Sequence, residues 1–258
     1  MMKKYFFFDI DGTLLAWLNE AENYIPDSTL KALKQLKDNG HFVAIATGRS
    51  RAMAKKTADL FGIDSLVSDG GNGVTINGKT IEVKPLDKDL CIELVEECNQ
   101  NNIPWGIQPN NDIVRLIPDD SFLKATNDKY MESRIVEGLN PLDYENIFKM
   151  YVAVREKDQK KLTVLDKLPW ARYHDTYIFV EPIDKVAGIY RTMELLGAPI
   201  EDVVVFGDDL NDLTMFKDEW ISIAMGNAKT ELKKKASFIT DSVYNDGIYV
   251  ACKYFGWI

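Results

Sequence analysis

The sequence predicts an α/β protein, in which a core built on a parallel sheet is interrupted by an inserted α+β module. Three observations carry this. Short apolar runs such as Phe6-Phe7-Phe8, Phe42-Val43-Ala44-Ile45-Ala46 and Val203-Val204-Val205-Phe206 alternate with segments of helical periodicity. Strands that are apolar on both faces belong to parallel sheets covered by helices. The pattern changes character over residues 85–182 and then returns. The core is therefore expected over 1–84 and 183–258, with the module inserted between them.

The first strand runs into Asp9-Ile10-Asp11-Gly12-Thr13-Leu14. Asp27 or Ser28 can cap a helix on which Leu30, Leu33 and Leu36 recur, and Gly40 closes it. Phe42–Ala46 is the next strand and leads into Thr47-Gly48-Arg49. A helix from about residue 50 to 61 precedes a short strand at 65–67, and Asn77-Gly78 sets a hairpin within 74–82. Repeated strand–helix–strand units place ligands outside the carboxyl ends of the strands. In the module, a helix near 89–101 leads to strands near 104–108 and 112–117. A second helix, near 122–132, precedes a strand at 148–154; a third, over 158–168, precedes strands near 171–173 and 177–180. Two such halves imply an antiparallel sheet. The core resumes with a helix over 185–196 and strands at 203–206 and 221–224.

A formal net charge of −9 on 258 residues argues against nucleic acid or an anionic membrane as the main partner. It still admits a phosphorylated small molecule, because a bound cation reverses the local field. Cys91, Cys98 and Cys252 show no metal-ligand spacing and read as reduced core thiols of a cytoplasmic protein. Lys3-Lys4 before an apolar run has the look of a signal peptide, but Asp9 ends the run too soon. No stretch is long enough to span a membrane.

The chemistry concentrates at strand ends. Alternation along an extended chain puts Asp9 and Asp11 on one side and turns Ile10 away. Two such acids can divide the labour, one as nucleophile or metal ligand and the other as proton donor. Taken alone, the pair also fits a solvated turn. Thr47 follows a buried strand, where its hydroxyl and the next backbone N–H groups suit phosphate oxygens; alone, it also fits a helix cap. Lys185 opens a helix, where its charge opposes the dipole; an anionic ligand or simple solvation would account for it. Gly207-Asp208-Asp209-Leu210-Asn211-Asp212 closes a further apolar strand with an acidic cluster. Phosphate and carboxylate repel by about 4 kcal/mol per charge pair at about 4 Å and an effective dielectric of about 20. Hard oxygen donors from Asp9, Asp208 and a backbone carbonyl suit Mg²⁺, which would cancel that repulsion.

These motifs, taken together, resemble the haloacid dehalogenase-like hydrolases, and specifically their Cof-type phosphatases with a large inserted cap. The resemblance is carried by Asp9-Ile10-Asp11-Gly12-Thr13-Leu14, Ala46-Thr47-Gly48-Arg49, Asp184-Lys185 and Gly207-Asp208-Asp209-Leu210-Asn211-Asp212, in the family's order. Gly70-Gly71-Asn72-Gly73 and Ala224-Met225-Gly226-Asn227-Ala228 add to it. Two departures are Asp69, where relatives commonly have asparagine before the glycines, and Val186-Ala187-Gly188, where the family more often has glycine directly after the lysine.

The resemblance implies a Rossmann-like core and a Mg²⁺-dependent phosphatase acting on small phosphorylated metabolites, sugar phosphates above all. It makes Asp9 the nucleophile and a metal ligand. Asp11 becomes the general acid and base and lends its carbonyl to the metal, and Asp208 is the remaining protein ligand. Ile10 (through its N–H), Thr47, Gly48, Lys185 and Asn211 would hold the phosphate, with Asp212 supporting Lys185 or a metal-bound water. The module would act as a lid, on which Trp105, Asn110, Asn111, Asp112 and Arg115 suit a sugar; internal packing accounts equally well for Trp105. His41 and His174 are expected in surface or packing roles. A phosphomutase of the same fold is the alternative, with a non-catalytic phosphate-sensing domain behind it; the latter needs neither Asp11 nor a lid.

Overall fold

A computed structural model describes residues 2–19 and 22–258. The chain forms two compact units, one comprising Met1–Thr47, Ala54–Glu82 and Asp184–Ile258, the other Gly48–Met53 and Val83–Ile183. No sequence pattern announces that residues 48–53 group with the second unit.

The first unit is built on an eight-stranded sheet. From one edge to the other the strands are Phe238–Ile239, Ile221–Ala224, Val203–Gly207, Tyr5–Phe8, Phe42–Ala46, Ser65–Ser68, Gly73–Ile76 and Lys79–Val83. The first six pair in parallel, and the hairpin joins antiparallel to Ser65–Ser68. Side-chain alternation along Tyr5–Phe8 feeds both faces. Phe6 and Phe8 join one apolar cluster, whereas Tyr5 and Phe7 join the other. Phe8 stacks on Phe206 of the neighbouring strand at 4.8 Å. From Tyr5–Phe8 the chain builds outward to one side through Phe42–Ala46 and Ser65–Ser68. It later returns to the other side as Val203–Gly207. The order therefore reverses beside Tyr5–Phe8, and the crevice at such a switch point is where open α/β sheets bind ligands.

Helices follow from the same apolar spacing. On Asp27–Asp38 the side chains of Leu33 and Leu36 are buried, while Leu30 remains partly exposed. Neither Asp27 nor Ser28 caps this helix: Pro26 holds the cap position and Asp27 is the first helical residue, where its charge suits the dipole. Gly40, at φ 83°, closes the other end as expected. Its N–H reaches the Lys37 carbonyl and that of His41 reaches Leu36. His41 packs edge-on against Phe6 and accepts a hydrogen bond at Nδ1 from the Lys4 amide. Beyond Ala224 the chain adds the helix Thr230–Lys235, the edge strand Phe238–Ile239 and the helix Gly247–Tyr254.

The second unit carries a six-stranded sheet in the order Glu132–Ile135, Val114–Ile117, Trp105–Gln108, Lys149–Val152, Ile178–Val180, Trp170–Ala171. Its pairs are antiparallel except the first, which is parallel. The strand Glu132–Ile135 lies where the sequence suggests the end of a helix. The helix is only Ser121–Thr126, because Asn127 turns left-handed at φ 51°. Asp128 then bonds Arg115 and the Tyr177 hydroxyl. The expected helix over 158–168 is instead two 3₁₀ stretches, Glu156–Lys161 and Thr163–Lys167. Buried Leu162, Leu165 and Leu168 recur every third residue, the period of a 3₁₀ turn. Glu97 accepts from the Thr163 hydroxyl at 2.5 Å and the Val164 amide at 3.1 Å.

Two side chains suited to a sugar serve the interior of this unit. Trp105 is buried and donates from Nε1 to Asn99. Arg115 is 0 % exposed, sits over the rings of Phe122 and Tyr151, and donates from Nε to Ser133. His174 stacks on Tyr177. Cys91, Cys98 and Cys252 are free thiols in apolar surroundings, and burial pushes each up to about 12. No helix among the described residues is long and apolar enough to cross a membrane.

Phe8 is wholly buried in the core, one residue before Asp9. Phe8→Ala should cost about 3–5 kcal/mol, the ordinary penalty for emptying a buried aromatic site. Urea unfolding measures it, and a loss below about 1 kcal/mol would contradict the packing described.

Candidate active site

The acids emerge at the switch point. The Asp9 amide extends the ladder by donating to the Phe206 carbonyl at 3.0 Å, so Asp9 stands level with the strand that delivers Asp208. The following loop is tight: the Ile10 carbonyl accepts from the amides of Leu14 and Leu15, and the Gly12 amide donates to Leu15. Ile10 is buried in the core, while Asp11 is half-buried in the loop. Gly12 has φ 82°, and a Cβ there would lie 2.1 Å from Asp208 Oδ2. Only glycine fits on both counts. Thr13 donates from its hydroxyl to Asp208 Oδ1 at 3.0 Å.

Lys185 is 2 % exposed, and its Nζ bonds Asp9 Oδ1 at 2.6 Å and Asp212 Oδ1 at 2.7 Å. Two carboxylates thus offset the dipole penalty of a cation at the start of the helix Lys185–Leu196. Glycines set the position of that helix. A Cβ on Gly71 would lie 2.1 Å from the Asp184 carbonyl, and one on Gly188 would lie 2.4 Å from Val67 Cγ1. Gly188 therefore supplies the close approach, three residues past the lysine. Asp69 adopts φ 52°, a conformation that asparagine and aspartate tolerate alike, and accepts from the Ser68 hydroxyl.

Asp212 is fully enclosed. Its Oδ1 takes Lys185, and its Oδ2 accepts from the amides of Asp208 at 2.9 Å and Asp209 at 3.2 Å. Gly207 permits this, since a Cβ there would lie 2.6 Å from Asp212 Oδ2. Asp209 turns to cap the short stretch Leu210–Met215, on which Asn211 is exposed. Thr47 is buried; its amide donates to Val67 and its carbonyl accepts from Gly70. Gly48 belongs to the second unit, where its carbonyl accepts from Lys149.

Sequence reasoning gave Thr13 and Asn227 no role. Asn227 donates from Nδ2 to the Gly12 carbonyl at 2.8 Å and to Asp208 Oδ2 at 3.3 Å, and accepts from the Val243 amide. It ties the first acidic loop to the last. The signal available was its place in Met225-Gly226-Asn227, between a buried strand and a helix.

Carboxylate oxygens of Asp9, Asp208 and Asp212 lie within 4.8 Å of one another. Burial raises Asp9 above the ordinary range; Lys185 opposes this, the Asp11 charge adds to it, and the Ile10 amide helps hold the anion. Burial and Asp9 likewise raise Asp212. Burial works against charge on Lys185, but Asp212 and Asp9 outweigh it and keep the ammonium protonated. Negative charge in excess of cations, with oxygen-only donors, fits a hard divalent ion, and this cluster can hold one.

The haloacid dehalogenase-like hydrolase family model matches residues 6–251, and the chain belongs to that family. It is a phosphoric monoester hydrolase. YkrA of Bacillus subtilis is 32 % identical over 270 residues, spanning 99 % of each chain. The 5-amino-6-(5-phospho-D-ribitylamino)uracil phosphatase YcsE of the same organism is 28 % identical, covering 97 % of this chain and 94 % of its own. The solved structure of the HAD subclass IIB sugar phosphatase BT4131 has a TM-score of 0.78 at 25 % identity, covering 99 % of this chain and 100 % of that one.

Without metal, burial and then the charges of Asp9 and Asp212 push Asp208 up to about 8 from 3.8. An acid whose pKa is higher folded than unfolded holds its proton better in the native state. Its contribution to stability is complete below its unfolded value of 3.8 and is lost as pH rises through about 8. In EDTA, the urea midpoint should fall as pH rises from about 5 to about 8, and Asp208→Asn should flatten that fall. Equal slopes for variant and wild type would show that Asp208 is not the titrating group.

Proposed function

We propose that this chain hydrolyses small phosphorylated metabolites, sugar phosphates foremost, in a Mg²⁺-dependent reaction through an aspartyl-phosphate on Asp9. The observation that carries the reading is Lys185 bonded at once to Asp9 and Asp212 beside Asp208, at the switch point of the sheet. Mg²⁺ held by Asp9, Asp208 and the Asp11 carbonyl would supply the positive charge that lets a phosphate dianion approach carboxylates. Asp212 is spent on Lys185 and two amides, which favours a supporting role over ligation.

A carboxylate oxygen of Asp9 forms the bond to phosphorus while the ester oxygen departs, taking a proton from Asp11. Asp11, now a base, takes a proton from water as that water attacks phosphorus, which releases phosphate and restores Asp9. Thr47, the amides of Ile10 and Gly48, Asn211 and Lys185 stabilise the charge on the transferring group. The inserted unit is proposed to cover the site as a lid and to read the leaving group. Similarity to a sugar phosphatase supports the substrate class, and the YcsE substrate, a phosphorylated ribityl compound, has the same alkyl ester chemistry.

Asp9→Asn should abolish turnover, and beryllium fluoride should form its adduct on Asp9 of the wild type; an adduct elsewhere would reassign the nucleophile. Asp11→Asn should keep Mg²⁺ and phosphate binding, because its metal contact is the backbone carbonyl. Steady-state turnover of a sugar phosphate should fall by about 10²–10⁴. An aryl phosphate, whose leaving group needs little protonation, should still give a rapid-quench burst. Full activity of this variant on a sugar phosphate would remove Asp11 from the acid–base role.

A further inference from the structure

Gly48 is the most deformable residue of the turn assigned to phosphate, yet both of its flanking peptides are anchored. On one side, the Thr47 carbonyl accepts from the Gly70 amide at 3.2 Å, which fixes the plane that carries the Gly48 N–H. On the other, the Gly48 carbonyl accepts from Lys149 Nζ at 3.1 Å. Because a trans peptide directs its N–H opposite to its C=O, this bond also fixes the direction of the Arg49 N–H.

Lys149 is an unusual donor. It is almost wholly buried on the strand Lys149–Val152, paired with equally buried Glu181 and lying over the Phe179 ring. Burial opposes its charge, and Glu181 more than offsets that, so the ammonium stays protonated. Two well-packed apolar side chains would serve stability as well as a buried ion pair does. The pair is not needed to fill space around Gly48 either, since a Cβ there would stand 3.8 Å from Glu181 Oε1, an ordinary contact. What it supplies is direction. The same unit grips the segment twice more, through Ser50 Oγ to the Asp112 carbonyl at 3.1 Å and the Ala52 amide to Asn111 Oδ1 at 3.3 Å.

We propose that Lys149, with its charge balanced by Glu181, is a positioning residue for phosphate recognition, locking the Gly48–Arg49 peptide so that the turn meets a phosphoryl group with its N–H donors already aimed. This rests on the phosphatase reading above. Pre-aimed donors cost no reorganisation when charge develops, whereas a free glycine peptide must first be ordered.

The test compares wild type with Lys149→Met/Glu181→Met, because Lys149→Met alone would strand a buried carboxylate. Unfolding midpoint, p-nitrophenyl phosphate kinetics and the inhibition constant of orthophosphate are measured on each. The double variant should unfold near the wild-type midpoint while kcat/KM falls about tenfold or more and the orthophosphate inhibition constant rises about as much. Glu181→Gln, which keeps the Lys149 donor, should lose stability but retain the wild-type inhibition constant. A double variant with unchanged kinetics and inhibition would overturn the positioning role and leave the phosphatase reading standing. A rise in the Glu181→Gln inhibition constant matching that of the double variant would overturn it too. A wild type that turns over no phosphate ester with Mg²⁺ would remove the phosphatase reading, and the inference with it.

Discussion

The structure of the first unit depends on one buried cation among carboxylates. Asp9, Asp208 and Asp212 crowd one corner of the sheet, and burial alone would drive them to protonate. Lys185 opposes that protonation at Asp9 and Asp212, which it bonds together. Each partner maintains the charge of the other: the carboxylates keep Lys185 protonated and Lys185 resists protonation of Asp9. A nucleophilic carboxylate must be ionised and must also be shielded from water. In the proposed mechanism, Lys185 favours the ionised form of Asp9 that attack on phosphorus requires.

That ion pair constrains the backbone around it. Lys185 reaches Asp9 because its helix lies close against the sheet, and it lies close because Gly71 and Gly188 have no side chain where Asp184 and Val67 pass. Asp208 reaches the loop after Asp9 because Gly12 leaves room for its carboxylate, and Asp212 folds back on its own strand because Gly207 does. Asn227 then fastens the Gly12 carbonyl to Asp208. The acids and the glycines are therefore two halves of one steric solution.

Much of this was legible in the residues. Phe6-Phe7-Phe8 and Val203–Phe206 read as parallel strands because both faces are apolar, and the acids at their ends read as chemistry once the motifs at several strand ends are taken together. The Asn77-Gly78 hairpin and the Gly40 helix stop followed from turn chemistry. What stayed hidden depended on contacts distant in sequence. Nothing local says that Asn127 will turn left-handed so that Asp128 can meet Arg115, or that Pro26 will take the cap from Asp27. Leucines at 162, 165 and 168 do carry a signal, a period of three, which is close enough to 3.6 to suggest an α-helix. Thr13 and Asn227 were visible within motifs, but hydrogen bonds across 195 and 215 residues of chain are not.

The inserted unit repeats in its own sheet the device found in the core. Lys149, like Lys185, is a buried lysine held charged by a neighbouring carboxylate. Arg115 and Asp128, buried together beneath aromatic rings, are a further instance. Such pairs contribute little net stability, since desolvation consumes most of the Coulomb gain. An apolar contact tolerates sliding, whereas a buried charge separated from its partner is penalised by several kcal/mol, roughly 3–5. A unit carrying two such pairs has few alternative packings, so its backbone carbonyls and loops are held in fixed directions. If the unit acts as the proposed lid, variation in leaving-group preference would reside in its exposed side chains, because the buried pairs fix the frame that presents them.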